Sequence, residues 1–141
     1  MTERDVMEFD VVIVGGGPAG LSTAIHLANL IEAHNAEIEK KGEGEKLEPE
    51  ICLIDKAAEL GAHSLSGAVL DPKTLNELVP DWRSMEPPAP VEAEVHKDYV
   101  LWLSEKGGKK LPITPPPLKN HGNFVVSLNK MVGWLGGIAE E

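Results

Sequence analysis

Residues 9–22 read Phe-Asp-Val-Val-Ile-Val-Gly-Gly-Gly-Pro-Ala-Gly-Leu-Ser, and this stretch decides the fold. Phe9 to Val14 is short, β-branched and nearly all apolar, the pattern of a strand buried on both faces near the centre of a parallel sheet. Gly15, Gly17 and Gly20 then satisfy G-x-G-x-x-G. Between a strand and a helix each glycine has its own role, in that Gly15 makes the tight turn, Gly17 lets a pyrophosphate approach the backbone, and Gly20 lets the helix lie close to the strand. Pro18 suits a first helical turn, which needs no donor from it. With Ala19 it opens a helix whose free N–H groups and positive dipole end attract phosphate. Ala19, Leu21, Ala24, Ile25, Ala28 and Ile31 recur with a helical period and predict a helix to about His34.

Further out, Ile51 to Ile54 is a second buried strand, closed by Asp55 and Lys56. Strand, glycine turn, helix and strand make a Rossmann-like βαβ unit over residues 9–56, with a right-handed crossover expected. The fold class is therefore α/β. Asp55 ends the second strand, where such folds place a carboxylate that accepts hydrogen bonds from the adenosine ribose. It would also repel a 2′-phosphate, which disfavours an NADP-type cofactor. Asp55 follows Gly20 by 35 residues, longer than the usual ~20. The surplus is residues 37–50 (EIEKKGEGEKLEPE), a charged stretch with little to bury, read as an exposed excursion whose first residues extend the helix.

Past Lys56 the pattern loosens. Residues 57–68 are small and Gly-rich, 71–78 (DPKTLNEL) predict a short helix, and 80–90 form a Pro-rich connection. Strands are expected at 99–103 and 123–128, with 112–117 extended between them. A last helix from about Asn129 is expected to stop within a turn or two of Gly136 and Gly137, a poor place for a domain boundary.

Several function classes are excluded by composition. Lys+Arg 13 against Asp+Glu 23 leave a net charge of −10 in 141 residues, which repels nucleic acid. The single cysteine, Cys52, rules out an internal disulfide and cannot by itself hold an iron–sulfur cluster. It sits in the apolar run 51–54 and reads as a buried, inert thiol. No run approaches the ~18 apolar residues of a membrane span. The start has no signal-peptide pattern or other targeting segment, so a cytosolic beginning is expected. His63 and His121 read as loop and turn residues, since no Cys or His stands near at metal-ligand spacing. No Ser–His–Asp set or carboxylate pair can be assigned, and no residue is named as a catalytic acid or base.

The sequence resembles the electron transfer flavoprotein–ubiquinone oxidoreductase family. The resemblance runs through Asp10 to Ser22, ICLIDKAAELGAHSLSGAVLDP (Ile51 to Pro72), Pro80-Asp-Trp82, LPITPPPLKNHGNFVVSL (Leu111 to Leu128) and the Trp134-Leu135 helix. It implies FAD on the βαβ unit of a three-layer fold, incomplete here, with Ser66 and Gly67 near the flavin and residues 57–82 as the flavin-proximal segment. It also implies a membrane-surface contact over about residues 60–82, electron transfer flavoprotein and ubiquinone as partners, and a four-iron, four-sulfur cluster whose four cysteine ligands this sequence lacks. Members of the family are several times longer, so the 141 residues are expected to be an N-terminal piece, inactive alone. For a bacterium the resemblance implies a protein peripheral to the inner membrane on its cytoplasmic side. The candidate cofactor-binding residues are Gly15, Gly17, Pro18, Ala19, Gly20, Asp55 and Lys56, with Ser66 and Gly67 added by the resemblance.

Three positions depart from the family pattern. Gly16 stands for the commoner Ala, Asp55 for a frequent Glu, and Ser127 for an Arg in some relatives. Two other readings stand beside this one. One is a different FAD-dependent oxidoreductase of the geranylgeranyl-reductase-like or hydroxylase-like group, since one fold serves many chemistries. The other is a non-catalytic fragment that binds nucleotide weakly.

Overall fold

Val11–Val14 forms β1, which in the computed structural model pairs in parallel with β2 (Ile51–Ile54), Val11 opposite Ile51 and Val14 opposite Ile54. The structure describes residues 6–65 and 67–140. Parallel neighbours need a crossover, and α1 (Pro18–Lys41) supplies it. The chain is mixed α/β and divides into two units, Met1–Ser64 with Asn129–Glu141, and Leu65–Leu128.

In the first unit α1 packs on β1 and β2. Leu21 and Ile25, one helical turn apart, are its buried residues. Their burial is worth about 1.5–3 kcal/mol each, against about 0.5 kcal/mol for a surface ion pair such as Lys41–Glu37. The N-terminal half therefore anchors the helix. The C-terminal half is held from outside: Asn35 exchanges two hydrogen bonds of 2.8 Å with the Leu47 backbone, and Lys46 pairs with Glu39. This support carries the helix beyond the expected His34 to Lys41, where Gly42, at φ 71°, donates its N–H to the Ile38 carbonyl and ends it. α3 (Leu128–Glu140) adds the buried Met131, Val132 and Leu135. It passes through Gly136 and Gly137 rather than stopping there, because Leu135 and Gly136 are themselves buried.

Burial of the two strands on both faces is not what the structure has. Among the described residues β1 pairs only with β2, and Val12 and Val14 are 50% and 79% exposed. The helix covers one side, where an added Cβ on Gly20 would touch Ile13, and nothing described covers the other.

The second unit is antiparallel. β3 (Ala68–Leu70), β7 (Phe124–Val126) and β4 (Val91–Glu94) form a sheet in the order β3-β7-β4, with an irregularity between Val91 and Ala93. Helix α2 (Pro72–Leu78) starts at Asp71, whose carboxylate accepts the Lys73 N–H at 2.9 Å. Leu75, Val79, Trp82, Ala89 and Val126 are the buried apolar residues of this unit. Trp82 is 2% exposed; its indole donates to Asn76 Oδ1 at 2.7 Å and its ring meets Phe124 edge-on at 5.7 Å. A separate hairpin, β5 (Leu101–Ser104) with β6 (Gly107–Lys110), is exposed throughout. A 3₁₀ turn, Pro116–Leu118, follows it.

Candidate functional site

The glycine loop leaves β1 with the Gly15 N–H donated to the Ile54 carbonyl at 2.7 Å, so the turn is tied to the end of β2 from its first residue. Gly15 has φ of 112°, a conformation that glycine alone adopts without strain. A Cβ on Gly20 would collide with the Gly15 carbonyl oxygen. The requirement at 20 is thus packing of the helix onto the turn. At Gly17 the requirement differs: a Cβ there would meet nothing within 4 Å, and its φ and ψ of −84° and −176° are ordinary extended values. Open space beside this backbone is what a pyrophosphate needs.

α1 begins at Pro18 with Gly17 as N-cap, without a capping side chain and without an acidic residue in its first turn. The first-turn N–H groups, Ala19 and Gly20 among them, therefore face no competing carboxylate from the helix itself. Asp55 stands beside the same loop. Its Oδ2 accepts the Gly16 N–H at 2.6 Å and its Oδ1 the Ala57 N–H at 2.7 Å. Those two bonds, Ala57 first, hold its carboxyl below the usual aspartate range, and the nearby His63 and Lys56 act electrostatically in the same direction. A carboxylate has about four lone-pair sites, so two remain open to further donors.

Gly15, Gly17, Pro18, Ala19, Gly20, Asp55 and Lys56 are thereby gathered at one end of the parallel strands. Gly67 lies in the second unit, at φ 86°, with nothing within 4 Å of where a Cβ would stand. Ser66 lies outside the described residues. Asp55, which stands where the family frequently has Glu, is bonded to the loop through the Gly16 N–H.

Two clamps have no signal in the sequence. Asn129 Nδ2 donates to the Gly61 carbonyl at 2.8 Å, and Asp98 accepts both the Asn120 N–H at 2.9 Å and its amide at 3.0 Å. The partners are 68 and 22 residues apart, and no local pattern marks either pair. Asp98 is held below the usual aspartate range first by the Asn120 N–H and then by its side chain. His121 bonds through Nδ1 to the His96 carbonyl at 3.2 Å, so this turn is pinned to the segment before β5. Among the described residues no group of three or more His, Cys, Asp or Glu could hold a metal ion. Cys52, half-buried in β2, is free. The residues present fit a dinucleotide and do not fit an iron–sulfur cluster.

No family model matches the chain. Curated proteins do. The chain is 46% identical over 97% of its length to the protein of Dictyostelium discoideum named electron transfer flavoprotein-ubiquinone oxidoreductase, mitochondrial, and covers 20% of it. Against the Homo sapiens protein of the same name the identity is 46% over 98% of the chain, again 20% of the relative. A protein of Acinetobacter baylyi named probable electron transfer flavoprotein-ubiquinone oxidoreductase is 43% identical over 99% of the chain, which covers 23% of it. The family resemblance read from the sequence is borne out, and the chain spans about a fifth of the length of the curated relatives it matches.

Proposed function

We propose, from the premise that nearly the whole chain belongs by sequence with the electron transfer flavoprotein–ubiquinone oxidoreductases, that it forms the FAD-binding part of an enzyme that oxidises reduced electron transfer flavoprotein and reduces ubiquinone. The proposed frame is a Rossmann-like three-layer fold of which β1, α1 and β2 are a part. The observation that carries it is the open glycine loop at an uncapped helix N-terminus with the Asp55 carboxylate alongside. In this reading the backbone at Gly15, Gly17, Ala19 and Gly20 receives the pyrophosphate. Asp55, kept ionised by the Ala57 and Gly16 N–H groups, accepts the ribose hydroxyls, with Lys56 next to it. Ser66 and Gly67 are assigned to the flavin end by the resemblance. FAD, when bound, supplies the redox chemistry, and the protein's share is to place it and exclude competing reactions.

The test is a chimera in which residues 1–141 replace the matching fifth of a curated relative. It is expected to hold flavin and to reduce ubiquinone with reduced electron transfer flavoprotein as donor, whereas the 141 residues alone are expected to show no quinone reduction. Asp55→Ala in the chimera should weaken FAD binding roughly tenfold, as loss of charge-assisted hydrogen bonds does. A chimera that purifies folded and colourless in the presence of FAD overturns the reading; an Asp55→Ala protein with unchanged FAD affinity removes only the ribose role.

Ubiquinone dissolves in bilayers, so the enzyme must meet a membrane surface. Among the described residues no helix is long and apolar enough to cross one. Of the segment 60–82, Leu75, Val79 and Trp82 are buried in the second unit, because α2 and Trp82 fill that unit's interior. They are not available to lipid; Leu65 and Val69 are exposed. A stronger apolar surface is the β5–β6 hairpin, where Leu101, Trp102 and Leu103 are exposed, Trp102 at 72%. Trp102 and Leu101 stand opposite Lys109 and Lys110. An exposed Trp among lysines suits a bilayer interface. The net charge of −10 does not oppose this, since screening limits each charge to about 8–10 Å. Trp102→Ser with Leu103→Ser in the chimera should reduce binding to phosphatidylglycerol-containing vesicles roughly tenfold or more and leave the flavin spectrum intact. Unchanged vesicle binding would remove the hairpin from this role.

A further inference from the structure

Charge is unevenly placed along this acidic chain. Residues 96–121 hold five lysines against Asp98 and Glu105, a net of +3, which leaves −13 for the remainder. Lys106, Lys109 and Lys110 belong to the β5–β6 hairpin and its turn, where every residue is exposed. The hairpin stands on a fastened root. Leu111 donates its N–H to the Val100 carbonyl at 2.9 Å, and next to it Asp98 holds Asn120 through both carboxylate oxygens. The strand register gives each face an apolar group beside a cation. Leu101, Leu103 and Lys110 share one face, and Trp102 and Lys109 share the other. The Lys110 ammonium lies 3.5 Å from the centroid of the Tyr99 ring, so cation and apolar surface are in direct contact.

We propose that the β5–β6 hairpin docks on anionic phospholipid at a bilayer surface, Lys106, Lys109 and Lys110 holding headgroup phosphates while the apolar side chains beside them enter the acyl boundary. The inference rests on the membrane reading of the hairpin above and deepens it by naming the lipid class. Charge complementarity argues for this occupant. Counterions confine each charge's reach to about 8–10 Å, so a bilayer feels the hairpin's cations rather than the chain's total of −10. A bilayer interface also sets phosphate next to hydrocarbon, the combination that both faces of the hairpin match. The turn limits the depth. Glu105 and Lys106 form it, and two charges oppose entry into hydrocarbon, so the arm lies along the interface rather than plunging through it. From there the lysines extend their stems over apolar surface and keep their ammonium groups at the phosphates.

Binding of the FAD-loaded chimera is measured on vesicles of phosphatidylcholine alone and of phosphatidylcholine mixed with phosphatidylglycerol, at low and at high salt. At low salt it should bind the mixed vesicles on the order of tenfold to a hundredfold more tightly, at about fivefold per lysine less the opposing Glu105. High salt should shrink that preference. Lys106→Gln, Lys109→Gln and Lys110→Gln together should remove most of it, whereas Arg at the same three positions, or Lys40→Gln with Lys41→Gln on α1, should preserve it. Flavin absorbance should be unchanged throughout; if the triple Gln variant loses flavin, Lys109→Gln alone takes its place, with about a fivefold loss expected. Equal binding of the unaltered chimera to the two compositions overturns the inference, as does a preference that survives the Gln changes. Glycerophosphate should not compete, and competition by it would mark a site for free phosphate and overturn the lipid assignment. Trp102→Ser with Leu103→Ser should weaken binding to both compositions and keep the preference; binding unchanged by that pair overturns instead the hairpin reading beneath this one.

Discussion

Gly20→Ala should leave a protein without flavin and less stable by about 3 kcal/mol, the upper range for overpacking a close contact. The added methyl would overlap the Gly15 carbonyl oxygen and crowd Ile13. Neither neighbour can retreat easily. Gly15 is held by its N–H on the Ile54 carbonyl and already uses a conformation reserved for glycine, while Ile13 is in the strand that α1 packs on. Relief would require the helix to move off the sheet, which opens the loop and exposes Leu21. The expected signature is a lowered urea midpoint of the apoprotein together with loss of visible flavin absorbance in the chimera. A normal midpoint would show that the turn is softer than its geometry implies.

Gly17→Val is expected to act on binding alone: abolish FAD binding, by about a hundredfold or more, while lowering the apoprotein's stability by no more than about 1 kcal/mol, the cost of a β-branched residue at the N-cap of α1. The backbone at 17 is extended, a region β-branched residues favour, and the side chain would project into open space. No neighbouring atom in the protein stands in its way. Only a phosphate group approaching the backbone would. The pair of variants separates the two roles of one motif, since the first should shift both unfolding and flavin content and the second flavin content alone. Full flavin occupancy in Gly17→Val sinks the assignment of the pyrophosphate to this loop.

The start of the chain is legible because its signals are local. A β-branched run, three spaced glycines, a proline at the first helical position and a helical apolar period identify β1, the turn and α1 without long-range information. Asp71 before Pro72 marks α2 in the same way. The strands β4 (VEAE) and β6 (GGKK) are not legible: β4 alternates over only four residues, three of them the poor strand formers Glu and Ala, and β6 carries no apolar residue to alternate. They form by pairing with β7 and β5, and a partner's edge is invisible from within four residues. Trp82 illustrates a different limit. A tryptophan beside Asp81 and Arg83 reads as well for an interface as for a core, and only the approach of Asn76 and Phe124 decides it. At the candidate site, the glycines and Asp55 are readable from motif and position. The Gly16–Asp55 bond and the Asn129 clamp join residues 39 and 68 apart, so they emerge only in three dimensions.

The pairing of Ala68 with Val126 in β3 and β7 has a bearing on how the chain reaches this state during synthesis. Helix α3 belongs with β1, α1 and β2, yet 64 residues separate Ser64 from Asn129. At about 5–20 residues per second, a ribosome takes roughly 3–13 s to deliver that stretch, and the first unit lacks its last helix meanwhile. Closing a flexible loop of this length costs about 4 kcal/mol of chain entropy. Once β3 and β7 have joined, however, Ala68 and Val126 stand about 5 Å apart, which leaves only a few residues on each side to span. The intervening unit then acts as a short connector, and the late-arriving helix is returned to its partners with most of that entropic cost already met by the insertion's own folding.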